Sequence, residues 1–336
     1  MRVSEKPWDA IEIDRGRTPW LIAVIAFLPM LLAYAVHFGL PPDGARGTGF
    51  LQSDQPMYMA AAIRHFEHGF FPAYGLPYSP DYDTPRVNVQ LILLLLGSLV
   101  HLTGWDPGYV FAVFGIVAGV VMLRMAIALL TSFSGPMRGV AGMVTCFLFL
   151  WGGGVLALSG LVWGLSKGLP FSYWSLREEV FRFDPFDGYW FLNLGRNVFY
   201  PLEAFFHCLF FGAILCMRHK KYLGGFILLI GAMLNHPFTA LELSLVMGGI
   251  VALEFILRVD PPPLWIVVAV GVSVPFFLLH SLYLVGLLST EQTVVVAQNA
   301  LDWSIDWKSM AAGYLPVVAI VILRFLRAPS LTGFLG

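Results

Sequence analysis

The chain has 336 residues, of which 58% are hydrophobic and only 12% charged, about half the charged fraction of an ordinary soluble domain, and its mean hydropathy is +0.75. That composition excludes a water-soluble globule. Lys and Arg total 20 against 21 Asp and Glu, a formal charge of −1, so no basic excess exists to hold a nucleic-acid backbone and nucleic acid is excluded as a partner.

Residues 1–19 are expected on the cytoplasmic side. They mix Arg2, Lys6, Arg15 and Arg17 with Glu5, Asp9, Glu12 and Asp14 before an apolar run begins at Pro19, which is too polar and too late for a cleaved secretory signal. Trp20 to Leu40 reads as a first membrane-spanning helix, the length needed to cross ~30 Å of hydrocarbon.

The next segment, Pro41 to Arg86, is long for a connection in a compact bundle, and such loops are usually functional. Within it Ser53, Asp54, Gln55 and Pro56 announce a helix start. Asp54 fits the N-cap and Pro56 the first turn, where a missing N–H costs nothing. The helix should run to about Gly69, with Met59, Ile63, Phe66 and Phe70 forming one apolar stripe suited to the membrane interface. Tyr58, Ala61 and His65 then fall roughly opposite, in a row headed by Asp54 and expected above the bilayer. At the end of the loop, Asp81, Tyr82, Asp83, Thr84, Pro85 and Arg86 read either as a solvated turn or as the source of a second carboxylate, Asp83.

Further apolar segments lie near Val87–Thr103, Gly108–Leu130, Val140–Leu165, Val198–Met217, Tyr222–Asn235, Phe238–Leu257, Leu264–Leu288 and Met310–Phe325. Backbone in lipid must satisfy its own hydrogen bonds, so runs of this length are helices. The expected fold is an all-α membrane protein, a polytopic helical bundle of about eight to ten spans forming one integral domain over residues 1–336. Cys146, Cys208 and Cys216 lie inside these runs without the spacing of a zinc or redox site, and read as packed thiols.

Arg218, His219, Lys220 and Lys221 form the densest basic cluster, which the positive-inside rule assigns to the cytoplasmic side. Pro41–Arg86, Ser166–Asn197 and Ser289–Ser309 are left on the other face. The second of these carries Tyr173, Trp174, Arg177, Glu178, Asp184, Trp190 and, at the start of a span, Arg196. Its aromatics would suit a sugar, but the composition reads first as an interface anchor. Glu203 and His207 share one helix face at membrane depth, and His236 with Pro237 breaks a span, so that His236 must line a cavity or be buried in protein. Two such residues make no metal site, and none is assigned.

An N-terminal span followed by a long loop carrying Asp54, Gln55, Pro56, Met57, Tyr58, Met59, Ala60 and Ala61 resembles the GT-C superfamily of membrane glycosyltransferases. The stretch His101, Leu102, Thr103, Gly104, Trp105, Asp106, Pro107, Gly108, the helix through Gly115 and Gly119, and Ser134 with Gly135 are similar to the region that follows there. The resemblance implies transfer of a sugar from a polyprenyl-phosphate carrier to a glycan, lipid or protein acceptor at the outer face, with inversion. Asp54 would be the base, and Arg86 or Arg196 would hold the departing lipid phosphate. Tyr58, His65, Asp83 and His236 are the remaining candidates for substrate contact. No tightly bound cofactor is implied, and a divalent cation, Mg or Mn, is left open. A bacterial inner membrane is the expected location.

The family often has two adjacent acids where this chain has Asp54 and Gln55. The competing readings are a transporter or lipid flippase, with broken spans at Gly152–Gly154 and at His236–Pro237, and a non-catalytic subunit of a glycan-assembly complex.

Overall fold

The computed structural model describes residues 16–41, 43–52, 54–67, 70–74, 89–135, 137–151, 162–168, 193–257 and 262–273. Its helices are α1 (Thr18–Gly39), α2 (Gln55–Glu67), α3 (Leu91–Thr103), α4 (Pro107–Ser134), α5 (Gly139–Trp151), α6 (Pro201–Arg218), α7 (Tyr222–Met233), α8 (Pro237–Leu257) and α9 (Leu264–Ser273), with a 3-10 helix at Asn193–Phe199. The chain is an all-α membrane protein. Three helices, α1, α4 and α6, are long and apolar enough to cross a bilayer, five more are apolar but shorter, and no strand occurs among the described residues.

Two compact units divide the chain, one made of Met1–Cys146 with Asn197–Val296, the other of Phe147–Arg196 with Ala297–Gly336. In the second, the Trp151 ring packs on the backbone at Gly195.

The first unit is built around α4. Helix α1 runs antiparallel to it: Phe38 stacks on Tyr109 with ring centroids 5.1 Å apart, the Tyr34 hydroxyl abuts Gly115, and Phe27 lies against Gly119. Without side chains at Gly115 and Gly119 the two helices approach closely, which is how apolar helices gain van der Waals contact where water supplies no driving force between them. Helix α6 runs parallel to α4, since Cys208 faces the Ala118 carbonyl and the Arg218 guanidinium donates to Ser132 O at 3.3 Å. Helix α7 returns antiparallel, with Gly225 against Met217 and Gly231 against Leu209.

Apolar side chains point outward as well as inward. On α1, Leu21, Leu28, Leu32 and Val36 are exposed while Ile22, Ala26, Phe27 and Met30 are buried, and α4 exposes Val113 and Val117. In water such a surface would be costly; against lipid tails it is the expected outer face. Arg124, the one basic residue within α4, lies over the Trp20 ring at 5.8 Å, at the level where α1 begins, as a cation reaching for the interface does.

Helix α3 covers 13 residues, about 20 Å at 1.5 Å per residue, and so falls short of the ~30 Å a span needs. Its free N-terminal N–H groups are met by the α7–α8 turn: Leu91 N–H donates to Leu234 O at 3.1 Å and Ile92 N–H to Asn235 Oδ1 at 2.7 Å. Gly104, at φ +67°, ends it in the left-handed conformation glycine favours. Asp106 then caps α4, its Oδ1 accepting from Gly108 N–H at 2.9 Å, with Pro107 in the first turn. The expected spans at Leu264–Leu288 and Met310–Phe325 lie partly or wholly outside the described residues, as do Gly152–Gly154.

Candidate functional site

Helix α2 begins at Gln55, directly after Asp54, as the N-cap reading requires. The segment leading into it is pinned to the membrane helices. His37, in the last turn of α1, accepts at Nε2 from the backbone N–H groups of Thr48 (2.9 Å) and Gly49 (3.0 Å). Gly49 sits at φ +79° with its backbone against Gly108, where a β-carbon would collide.

Gln55 is the anchor. It is 1% exposed; its Oε1 accepts from Leu51 N–H at 2.8 Å and its Nε2 donates to Phe199 O at 3.0 Å. The start of α2 is thereby fixed to the chain just ahead of α6, while Asp54 itself is exposed and Tyr58 is 38% exposed. An exposed acidic residue thus sits directly ahead of a helix whose first residue is locked into the core.

His65 does not share that exposure. The expected row of Asp54, Tyr58 and His65 above the bilayer is corrected here, because His65 is 0% exposed and belongs to the face that packs on α3. The Ala61–Ala62 pair causes this. Small side chains there let α2 and α3 meet backbone to backbone, and a β-carbon at Gly97 would run into the Ala62 carbonyl. The buried face is Gln55, Met59, Ala61, Ala62 and His65, whereas Phe70, expected in the apolar stripe, is 62% exposed.

His65 Nδ1 lies 2.6 Å from the Phe71 carbonyl, which can only accept, so Nδ1 carries the proton. Nε2 is buried and unpartnered among the described residues. Burial holds the imidazole below its usual pKa, against the opposing pull of the Phe71 carbonyl. Tyr74 meets His65 edge-on at 5.5 Å and donates to Gln90 Oε1 at 3.0 Å. Burial, with a smaller contribution from Tyr58, raises the Tyr74 phenol.

Behind the start of α2 lies a polar cluster at the head of α6. Buried Asn197 places Nδ2 3.3 Å from His207 Nε2, and His207 Nδ1 lies 2.8 Å from the Glu203 carbonyl. A carbonyl can only accept, so His207 is protonated on Nδ1 and takes the Asn197 amide on Nε2. His236, at the α7–α8 break, is partly buried. Its ring stacks on Phe206 at 4.6 Å, and Nδ1 accepts from Thr239 N–H at 3.3 Å, capping α8.

Of the other expected site residues, Asp83 and Arg86 lie outside the described residues. Arg196 falls within the 3-10 helix, its side chain likewise outside the description. Among the described residues no group of three or more His, Cys, Asp and Glu is placed to hold a metal ion. Sequence reasoning missed Gln55 and Asn197. Gln55 had a signal, since residues 55, 59 and 62 stand at helical spacing on one stripe; Asn197 had none. No family model, curated protein or solved structure matches the chain, so the GT-C resemblance stands on the residues quoted for it alone.

Proposed function

We propose that this protein is a membrane glycosyltransferase that moves a sugar from a polyprenyl-phosphate carrier to an acceptor on the non-cytoplasmic face. The observation that carries the reading is the exposed Asp54 carboxylate on a non-spanning helix whose neighbour, Gln55, is bonded into the core at Phe199. A base must be held within hydrogen-bond reach of its substrate, and a clamped helix start does that better than a free loop. Asp54 would take the proton of the acceptor hydroxyl as its oxygen attacks the anomeric carbon. The bond from that carbon to the carrier phosphate breaks, and the lipid phosphate leaves with the electron pair. Arg86 and Arg196 are the proposed partners of that phosphate, by bidentate guanidinium contact.

The reading assigns residues 1–19 and the Arg218–Lys221 turn to the cytoplasm, and Pro41–Arg86 to the opposite face of a bacterial inner membrane. The test is release of polyprenyl phosphate from a polyprenyl-phosphate sugar by purified protein supplied with crude acceptor. Asp54→Asn keeps an N-cap acceptor, so expression and melting should be unchanged while turnover stops. Full turnover in that variant removes Asp54 as the base. The transport reading draws on the break at His236–Pro237, and a transporter would move the labelled lipid with its sugar bond intact.

A further inference from the structure

Just past the membrane end of α1, the turn that follows the helix folds back over its last residues. At Gly47 a β-carbon would strike the His37 carbonyl and the Phe38 ring, so the return needs glycine there. The fold-back sets Arg46 across from the first turn of α4 and encloses an open cleft of about 280 Å³, lined by Phe38, Arg46, Asp106 and Tyr109 together with the turn itself. Asp54 does not line it.

The cleft holds one cation and one anion that are not paired with each other. Arg46 makes no hydrogen bond or ion pair among the described residues. Asp106 spends Oδ1 on the Gly108 N–H, which leaves its other oxygen for a ligand. The stacked Phe38 and Tyr109 rings form the apolar wall. Below the cleft, α1 and α4 continue as spans with exposed Val36, Val113 and Val117.

We propose that this cleft binds the headgroup of a zwitterionic phospholipid carrying a primary amine, the phosphoethanolamine class. The phosphodiester meets Arg46, the ammonium donates to Asp106 beside the aromatic wall, and the acyl chains run down the exposed faces of α1 and α4. A carboxylate facing the guanidinium disfavours a ligand that is only an anion, so a phosphatidylglycerol or a polyprenyl monophosphate fits less well. A quaternary amine has no N–H to give and also fits less well, despite its attraction to aromatic faces. The ligand comes from the bilayer because the cleft opens at the ends of two spans. This site is separate from the proposed transferase chemistry and does not depend on it.

The experiment is native mass spectrometry of the full chain in detergent, titrated with phosphatidylethanolamine, phosphatidylcholine and phosphatidylglycerol of identical acyl chains. Phosphatidylethanolamine should be retained about tenfold better than the other two, the weight of one charge-assisted hydrogen bond. Arg46→Gln should weaken its retention by about the same factor. Asp106→Asn still caps α4, so melting should hold while the preference over phosphatidylglycerol disappears. Equal retention of the three lipids by the unaltered protein, or an undiminished preference in Asp106→Asn, overturns the proposal. Binding of soluble phosphoethanolamine as tight as that of the lipid overturns the bilayer as its source.

Discussion

The side-chain amide of Gln55 donates to the backbone carbonyl of Phe199, 144 positions along the chain. That single bond joins the head of a non-spanning helix to the entrance of a spanning one. With the Leu51 N–H on its other end, Gln55 satisfies both of its polar atoms while buried, which is the condition for keeping an amide inside an apolar cluster.

Gln55→Ala should therefore lower stability by about 1–3 kcal/mol, because the Leu51 N–H and the Phe199 carbonyl lose their partner together. Thermal unfolding in detergent measures it. An unchanged melting temperature would show that water takes over both bonds and that the clamp does not hold α2.

Gly97→Ala and Gly249→Ala should act in opposite directions. The added methyl at Gly97 meets the Ala62 carbonyl, while nothing lies within 4 Å of a β-carbon at Gly249. The first should cost about 1–3 kcal/mol by overpacking. The second should add up to about 1 kcal/mol through helix propensity. A comparison of the two melting curves settles the sign, and a neutral Gly97→Ala would mean that the α2–α3 contact yields.

His65 supplies a pH dependence. Its folded pKa is held below 6.5 by burial, so above that value both folded and unfolded states are neutral and stability is flat. Below about 6.5 the unfolded chain takes up a proton that the folded chain resists, and stability falls as pH drops towards the lowered folded value. Melting temperatures from pH 8 to pH 5 should show this decline, and His65→Gln should flatten it. A decline that survives His65→Gln would move its cause to another group.

The proposed orientation is tested by labelling in a background lacking Cys146, Cys208 and Cys216. A cysteine at the exposed Thr48 should react with an impermeant reagent on intact cells, and one at Lys220 only after permeabilisation. The reverse pattern inverts the topology and moves Asp54 to the cytoplasmic face.

Helix positions were legible where apolar runs were long. α1, α4 and α6 match the expected Trp20–Leu40, Gly108–Leu130 and Val198–Met217 to within a few residues, because in lipid the backbone has no alternative to internal hydrogen bonding. The start of α2 was legible from Asp54 and Pro56. Its buried face was not. Large apolar residues at helical spacing drew attention to Ile63, Phe66 and Phe70, but Gly97 on a different helix made Ala61, Ala62 and His65 the side of closest approach. The pairing of Gln55 with Phe199 and of Asn197 with His207 joins segments through single polar atoms, a relation that leaves no periodic trace. The Arg46 cleft likewise depends on a turn folding back at Gly47, which composition marks as a turn without giving its direction.

The N-terminal N–H groups of α3 find their acceptors on Leu234 and Asn235, and this constrains biogenesis. Asn235 is 143 positions downstream of Ile92, so at 5–20 residues per second the ribosome needs roughly seven to thirty seconds to supply it. Until then the nascent α3 end must stay at the aqueous rim of the translocon or borrow a temporary acceptor, and its seating is a late, post-insertion event. Stalling synthesis before Asn235 should leave α3 accessible to protease, while α1 and α4 have already entered the bilayer.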